Sequence, residues 1–314
     1  MPKKPNNKKM YHAPSAKAIQ GMKQNMQNQY SQIQAFLEQG DVDSAYQSAI
    51  QCCNQRASVD LLDLCYEVFS NSNDSLNAVR ALQLGLQLDA HSEAAATRYV
   101  SLFQLQGEVE SLHQALKIIS KLPASPQLQD QKCFCLSYIS QYHIQVERDD
   151  AKALEFAQQA AQLNYLQGGV QLAGVYMVLE QMEECQQIAA QVFQKFIEMN
   201  LIKQTGEGDD LQYEATITNQ VPDLQTMINL VRVLNELELF EESEAVLRLA
   251  LQMDSNDPVT CHEMAWLRNL QGNFEDCLEW LFKVRAIYVE QGFGEQDEVM
   301  IDVNAKIKQF QSVE

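Results

Sequence analysis

The chain has 314 residues, 46% of them hydrophobic, which is enough for a core and too apolar for a wholly disordered acidic chain. Its 42 acidic residues outnumber its 23 basic ones, giving a formal net charge of -19. That balance makes it a poor nonspecific ligand for nucleic acid, whose binding draws on neutralised phosphates, and no run of 18 apolar residues offers a membrane helix.

In chain order, residues 1–23 come first. They hold six lysines (Lys3, Lys4, Lys8, Lys9, Lys17, Lys23) and no acid, with little apolar patterning, and they predict a flexible basic tail. They lack the apolar run of a signal peptide. Residues 24–314 keep 17 basic and 42 acidic residues, a net of -25, which suits a basic partner.

From about Met26 onward a 34-residue frame of two helices recurs. Gly40-Asp41 and Ala45 set the first copy, and Gly85 through Asp89 close a second that starts at Val59. Gly107-Glu108 mark a third, starting at Glu93. A fourth near Phe134 carries Ala153 and Ala160, and a fifth near Leu166 carries Tyr176 and Cys185. The sixth starts at Leu224, with Ser243 and Ala250. The seventh runs from Pro258 to Gln291, with Ala265, the turn Gly272-Asn273-Phe274, and Cys277. Inserts are expected near 127–133 and at 200–223, the latter a mobile acidic loop with four acids within Glu207–Glu214. Met300, Val303, Ile307 and Phe310 predict one more amphipathic helix.

Small residues let two antiparallel helices approach, glycine turns the chain, and Leu, Ile, Phe and Tyr fill the space between hairpins. The frame resembles the tetratricopeptide repeat. It implies an all-α, right-handed solenoid of about seven hairpins over 24–290, with a capping helix in 291–314.

Chemistry is harder to find. The five histidines form no metal-binding pair, and Cys133 and Cys135 are one residue short of the C-x-x-C spacing. Adjacent Cys261 and His262 point about 100° apart on a helix. No phosphate loop or dinucleotide fingerprint exists. The eight scattered cysteines read as reduced, buried thiols of an intracellular protein. No catalytic residue, cofactor or metal is expected.

The first helix of each hairpin is expected to line a concave groove. In the second copy its face carries Asp60, Asp63 and Glu67, three carboxylates at helical spacing that a cationic partner would relieve. The fourth copy presents Tyr138 and Tyr142, the sixth Arg232, Asn235 and Glu236, and the seventh His262, Trp266 and Asn269, with Tyr30 beginning the row. Such a groove suits a Lys/Arg-rich segment held by ion pairs and cation–π contacts. Trp266 could equally pack between hairpins. Acids at the hairpin turns, such as Asp41, Asp149, Glu183 and Asp276, read instead as helix caps.

The run Val221–Leu251 resembles the dedicated assembly chaperones of the fourth large-subunit ribosomal protein. Ile228, Leu230, Arg232, Leu234 and Glu236 match one motif of that family. Asp254 and Asp257 match its acidic link, and Ala265-Trp266 the end of its tryptophan helix. His262-Glu263-Met264 stand where the family has an aromatic pair. Cys135–His143, Glu147–Asp150 and Ala151–Leu163 resemble its central helices and acidic insert. The resemblance implies a non-enzymatic chaperone that shields a basic ribosomal protein, binds its Lys/Arg-rich extension, and delivers it to large-subunit assembly. It also implies a cytoplasmic and nuclear protein that contacts neither RNA nor membrane. The alternative is a generic tetratricopeptide adaptor or a scaffold subunit of a larger complex.

Overall fold

Alanine and glycine at the hairpin contacts, with a polar cap at most helix starts, build a repetitive all-α architecture. The computed structural model describes residues 16–55, 57–206, 212–218 and 221–311. The chain divides into two compact units, residues 1–123 and 124–314.

The first unit stacks three hairpins: α1 (Ala16–Glu38) with α2 (Val42–Cys53), α3 (Val59–Asn71) with α4 (Ser75–Leu88), and α5 (Glu93–Gln106) with α6 (Val109–Ile119). The second holds four more: α7 (Pro126–Tyr142) with α8 (Asp150–Leu163), α9 (Tyr165–Val178) with α10 (Met182–Glu198), α11 (Leu224–Glu236) with α12 (Phe240–Met253), and α13 (Pro258–Leu270) with α14 (Phe274–Glu290). The helix α15 (Glu298–Gln311) packs on α14, with Met300, Val303, Ile307 and Phe310 buried as expected.

Of the acids expected as caps, Asp41 and Asp149 do cap their helices, whereas Glu183 and Asp276 lie in the first turn behind Gln181 and Asn273. Asp41 accepts from Ser44 N at 3.1 Å, and Asp149 from Lys152 N at 3.1 Å. Asp74 accepts from Asn77 N at 3.1 Å and from the Tyr46 hydroxyl at 2.6 Å. Hydrogen bonds from the Ser44, Tyr46 and Lys152 side chains, joined by these backbone bonds, hold the Asp41, Asp74 and Asp149 carboxyls below their ordinary pKa. Gly40, Gly107 and Gly272 take the left-handed conformation at three hairpin turns, whereas Asn73, Arg148, Glu180 and Glu238 occupy it at the other four. A glycine signal therefore finds fewer than half of the turns.

Ala45, Ala49, Ala78, Ala153, Ala157 and Ala160 are fully buried where helices meet. The closest approach is that of α8 and α9: a Cβ on Gly168 would lie 2.2 Å from the Ala160 carbonyl carbon. All eight cysteines are free and buried. No helix among the described residues is long and apolar enough to cross a membrane.

Three expectations need correction. Residues 16–23, placed in the tail, begin α1, while 1–15 lie outside the described residues. Residues 127–133, expected as an insert, are the first turns of α7, started by Pro126 behind the Ser125 cap. The segment 200–223, expected as a loop, contains the antiparallel strands β1 (Ile202–Thr205) and β2 (Gln212–Ala215). Burial anchors that hairpin: Leu201 and Ile202 are fully buried, and the Tyr213 ring meets Phe193 edge-on at 5.2 Å. Glu207, Asp209 and Asp210 lie outside the described residues, and Glu214 pairs across the strands with Lys203.

Candidate functional site

In the first unit, Tyr30 of α1 and Asp60 of α3 line one open cleft of about 400 Å³, together with Lys23 and Ser58. Asp60 sits in the first turn of α3, where the Ser58 hydroxyl accepts from Leu61 N at 3.3 Å. Glu67 lies two turns further along the helix. Both carboxylates are exposed and neither forms an ion pair with another described residue.

Asp63, between them, is not free. Arg98 of α5 donates to both of its oxygens at 2.7 Å, and Asp89 lies 3.6 Å from the same guanidinium. The Arg98 side chain is 3% exposed, and it passes over Gly85, where a Cβ would come within 3.0 Å of its Nε. The three-carboxylate stripe is thus two open acids flanking an internal ion pair. Like charges along one helix face are relieved by an arginine of the next hairpin.

In the second unit, Tyr138 opens a cleft of about 410 Å³ bounded by α7, α9 and α11. Its companions from α7 are Phe134, Ser137 and Gln141; Tyr142 is not part of the lining and meets the His143 ring edge-on at 6.1 Å. Gln141 and Tyr142 lie on opposite sides of Tyr138 around the helix, and the neighbouring helices take the Gln141 side. Beyond Tyr142 the chain passes through a single π-helical turn, His143–Glu147, in which His143 Nδ1 lies 2.9 Å from Glu147 Oε2.

Of the six residues expected on the sixth and seventh copies, Arg232, Asn235, Glu236, His262 and Trp266 share one cleft, and Asn269 lies in the next. Glu236, His262 and Trp266 line a cleft of about 240 Å³ between α11 and α13. His262, Trp266 and Asn269 also line a smaller one of about 190 Å³ against α14 and α15. Trp266 is 46% exposed, so it faces the clefts, while Trp280 packs against the core. Arg232 and Glu263 form an ion pair across α11 and α13 at 2.6 Å. Lys306 of α15 donates to His262 Nε2 at 2.8 Å and to Asp302 at 2.8 Å. Burial and the Lys306 charge hold the imidazole pKa down, which keeps His262 neutral as an acceptor.

Sequence reasoning missed Gln141, Gln167, Gln171, Gln225 and Asn229, which line the α7–α9–α11 cleft, and Lys306. The abundant glutamines carried no chemical signal by composition, but their place on the first helices of the frame was available. Lys306 lies outside the frame altogether. Among the described residues, no group of three or more His, Cys, Asp or Glu could hold a metal ion.

No protein-family model matches the chain, and no curated protein does. Solved structures do. One is the assembly chaperone of RpL4 (Acl4), with a TM-score of 0.58 at 15% identity, over 80% of this chain and 98% of that one. Another is a tetratricopeptide repeat protein from Parabacteroides merdae, with a TM-score of 0.59 at 12% identity, over 92% and 99%. A third is the APC/C hetero-tetramer Cut9-Hcn1, with a TM-score of 0.52 at 14% identity, over 88% of this chain and 48% of that one. The fold is therefore a tetratricopeptide-type, all-α array of helical hairpins.

Proposed function

We propose that this protein is a non-enzymatic binding scaffold that shields a basic ribosomal protein and hands it to large-subunit assembly. The observation that carries the client chemistry is the pair of open carboxylates on α3: Asp60, which shares a cleft with Tyr30, and Glu67, two turns further along. A Lys/Arg-rich extension would place cations on these acids and on the tyrosine ring. Net charge supports the same reading, since a body of this acidity attracts basic segments over a distance set by salt. So does the likeness in fold to a structure named as an assembly chaperone of RpL4. Ribosomal RNA would displace such a scaffold by competing for the same cations. Client traffic of this kind belongs to the cytoplasm and nucleus.

The test is capture from cell extract with the full chain, protein identification, and repetition with Asp60→Lys/Glu67→Lys. A basic ribosomal protein should be recovered by the native chain, released by salt, and lost with the double variant. Recovery of no ribosomal protein would refute the chaperone role. A second reading, an adaptor or scaffold subunit of a larger complex, is favoured by the second unit, whose amide- and aromatic-lined clefts show no preference for a cation.

A further inference from the structure

Three clefts of the second unit are links of one path. The first shares Arg232 with the second, and the second shares His262 and Trp266 with the third. The path crosses α7, α9, α11 and α13 and ends against α15. Three steps between packed helices at about 9–10 Å each make it roughly 28 Å long, which matches about eight extended residues at ~3.3 Å apiece.

Its two ends differ. At the α7 end, Gln141, Gln167 and Gln171 are half-buried, and their side-chain amides make no hydrogen bond to another described residue. Gln225 donates to Asn229 at 2.9 Å, which leaves the Asn229 amide N–H groups and the Gln225 oxygen open. Each amide offers both a donor and an acceptor, as does each residue of an extended main chain. Their polar atoms still reach solvent, so each can exchange water for a main-chain partner without leaving a buried group unpaired. At the α15 end, Ala265, Cys277, Leu281 and Phe310 join Trp266 around a small apolar socket.

The charges along the path are largely paired. Arg232 meets Glu263, Lys306 meets Asp302, and Asp223 caps α11 through Thr226 N and Oγ1 at 2.8 Å. Glu236 is the one lining carboxylate that neither caps a helix nor forms an ion pair among the described residues.

We infer that this path binds an extended segment of a partner protein, held by its main chain on the amides and anchored by one large apolar side chain beside Trp266. The inference rests on the chain being a binding scaffold, and not on its client being basic. Binding here should be nearly indifferent to salt, unlike binding at Asp60 and Glu67.

A phage-displayed library of random peptides about twelve residues long, selected on the full chain, tests this. The selected peptides should share a large apolar residue at a recurrent position, with no excess of Lys or Arg. A synthetic copy of the strongest should change affinity less than about twofold between about 50 and 500 mM salt. Gln167→Ala/Gln171→Ala and Trp266→Ala should each weaken it about tenfold or more, with native circular dichroism as the folding control. Methylating its main-chain nitrogens should do the same, and Asp60→Lys/Glu67→Lys should leave it within about twofold. The inference is overturned by selection of Lys/Arg-rich peptides that the acidic double variant abolishes, by failure to enrich any peptide, or by wild-type binding in a folded glutamine double variant. A Lys-rich peptide measured on the same proteins reports on the chaperone reading independently.

Discussion

The two units use the same hairpin and present opposite chemistry. On the first, α3 exposes Asp60 and Glu67 while Asp63 is taken up by Arg98. On the second, Arg232 of α11 pairs with Glu263 of α13, Arg268 of α13 pairs with Glu244 of α12, and amides and an exposed indole are left at the surface. A formal charge of -19 describes neither. Acid content matters for recognition only where a carboxylate is neither a cap nor half of an ion pair, and the repeat frame itself does not decide which of these it will be.

The largest effect that would sharpen this comparison is confined to the second unit. Gly168→Ala drives a methyl group into the Ala160 backbone and should cost about 3 kcal/mol in urea unfolding. Both tryptophans, Trp266 and Trp280, lie in this unit, so fluorescence should follow its loss directly. An unchanged midpoint would mean that the α8–α9 contact is looser than its geometry.

Next comes Arg98→Met in the first unit. It removes two charge-assisted hydrogen bonds at 2.7 Å and should cost about 2 kcal/mol. It also releases Asp63, which is 41% exposed, so a Lys-rich peptide should bind a few-fold tighter to the less stable protein. Lower stability with unchanged peptide affinity would show that the α3 face is not the acidic site.

A smaller effect is the tenfold or so loss of Lys-rich peptide affinity expected in Asp60→Lys/Glu67→Lys, vanishing at high salt. Trp266→Ala should leave that affinity alone.

The mildest prediction concerns pH. His262 titrates below its ordinary 6.5 in the folded protein, so the unfolded chain takes up the proton first. Stability of the second unit should therefore be full above about pH 6.5 and decline as pH falls below it. The depressed carboxyls Asp41, Asp74 and Asp89 of the first unit lose their contribution only in the range below about pH 4. His262→Gln should flatten the fluorescence-detected midpoint between about pH 6.5 and 5.

The repeat was readable because hairpin packing imposes a local period. Copies expected at Val59, Glu93, Leu224 and Pro258 begin helices at those residues. The fourth was misplaced because Pro126 starts α7 eight residues ahead of Phe134. The 200–223 insert differs from the expectation because its strands are short and its anchor, Ile202, is buried in a core that joins the preceding helix α10 to α11 and α12, which follow the insert.

Sequence alone determined the hairpin count, the caps, the terminal helix and the residue types that face outward, since each depends on neighbours within one or two helical turns. Tertiary structure decided which of those residues are available. Arg98 reaches Asp63 across 35 positions, Glu263 reaches Arg232 across 31, and Lys306 reaches His262 across 44. Those distances belong to hairpin stacking, and no periodicity within a single frame reports whether the charge opposite will be solvent, a partner protein or an arginine of the next repeat.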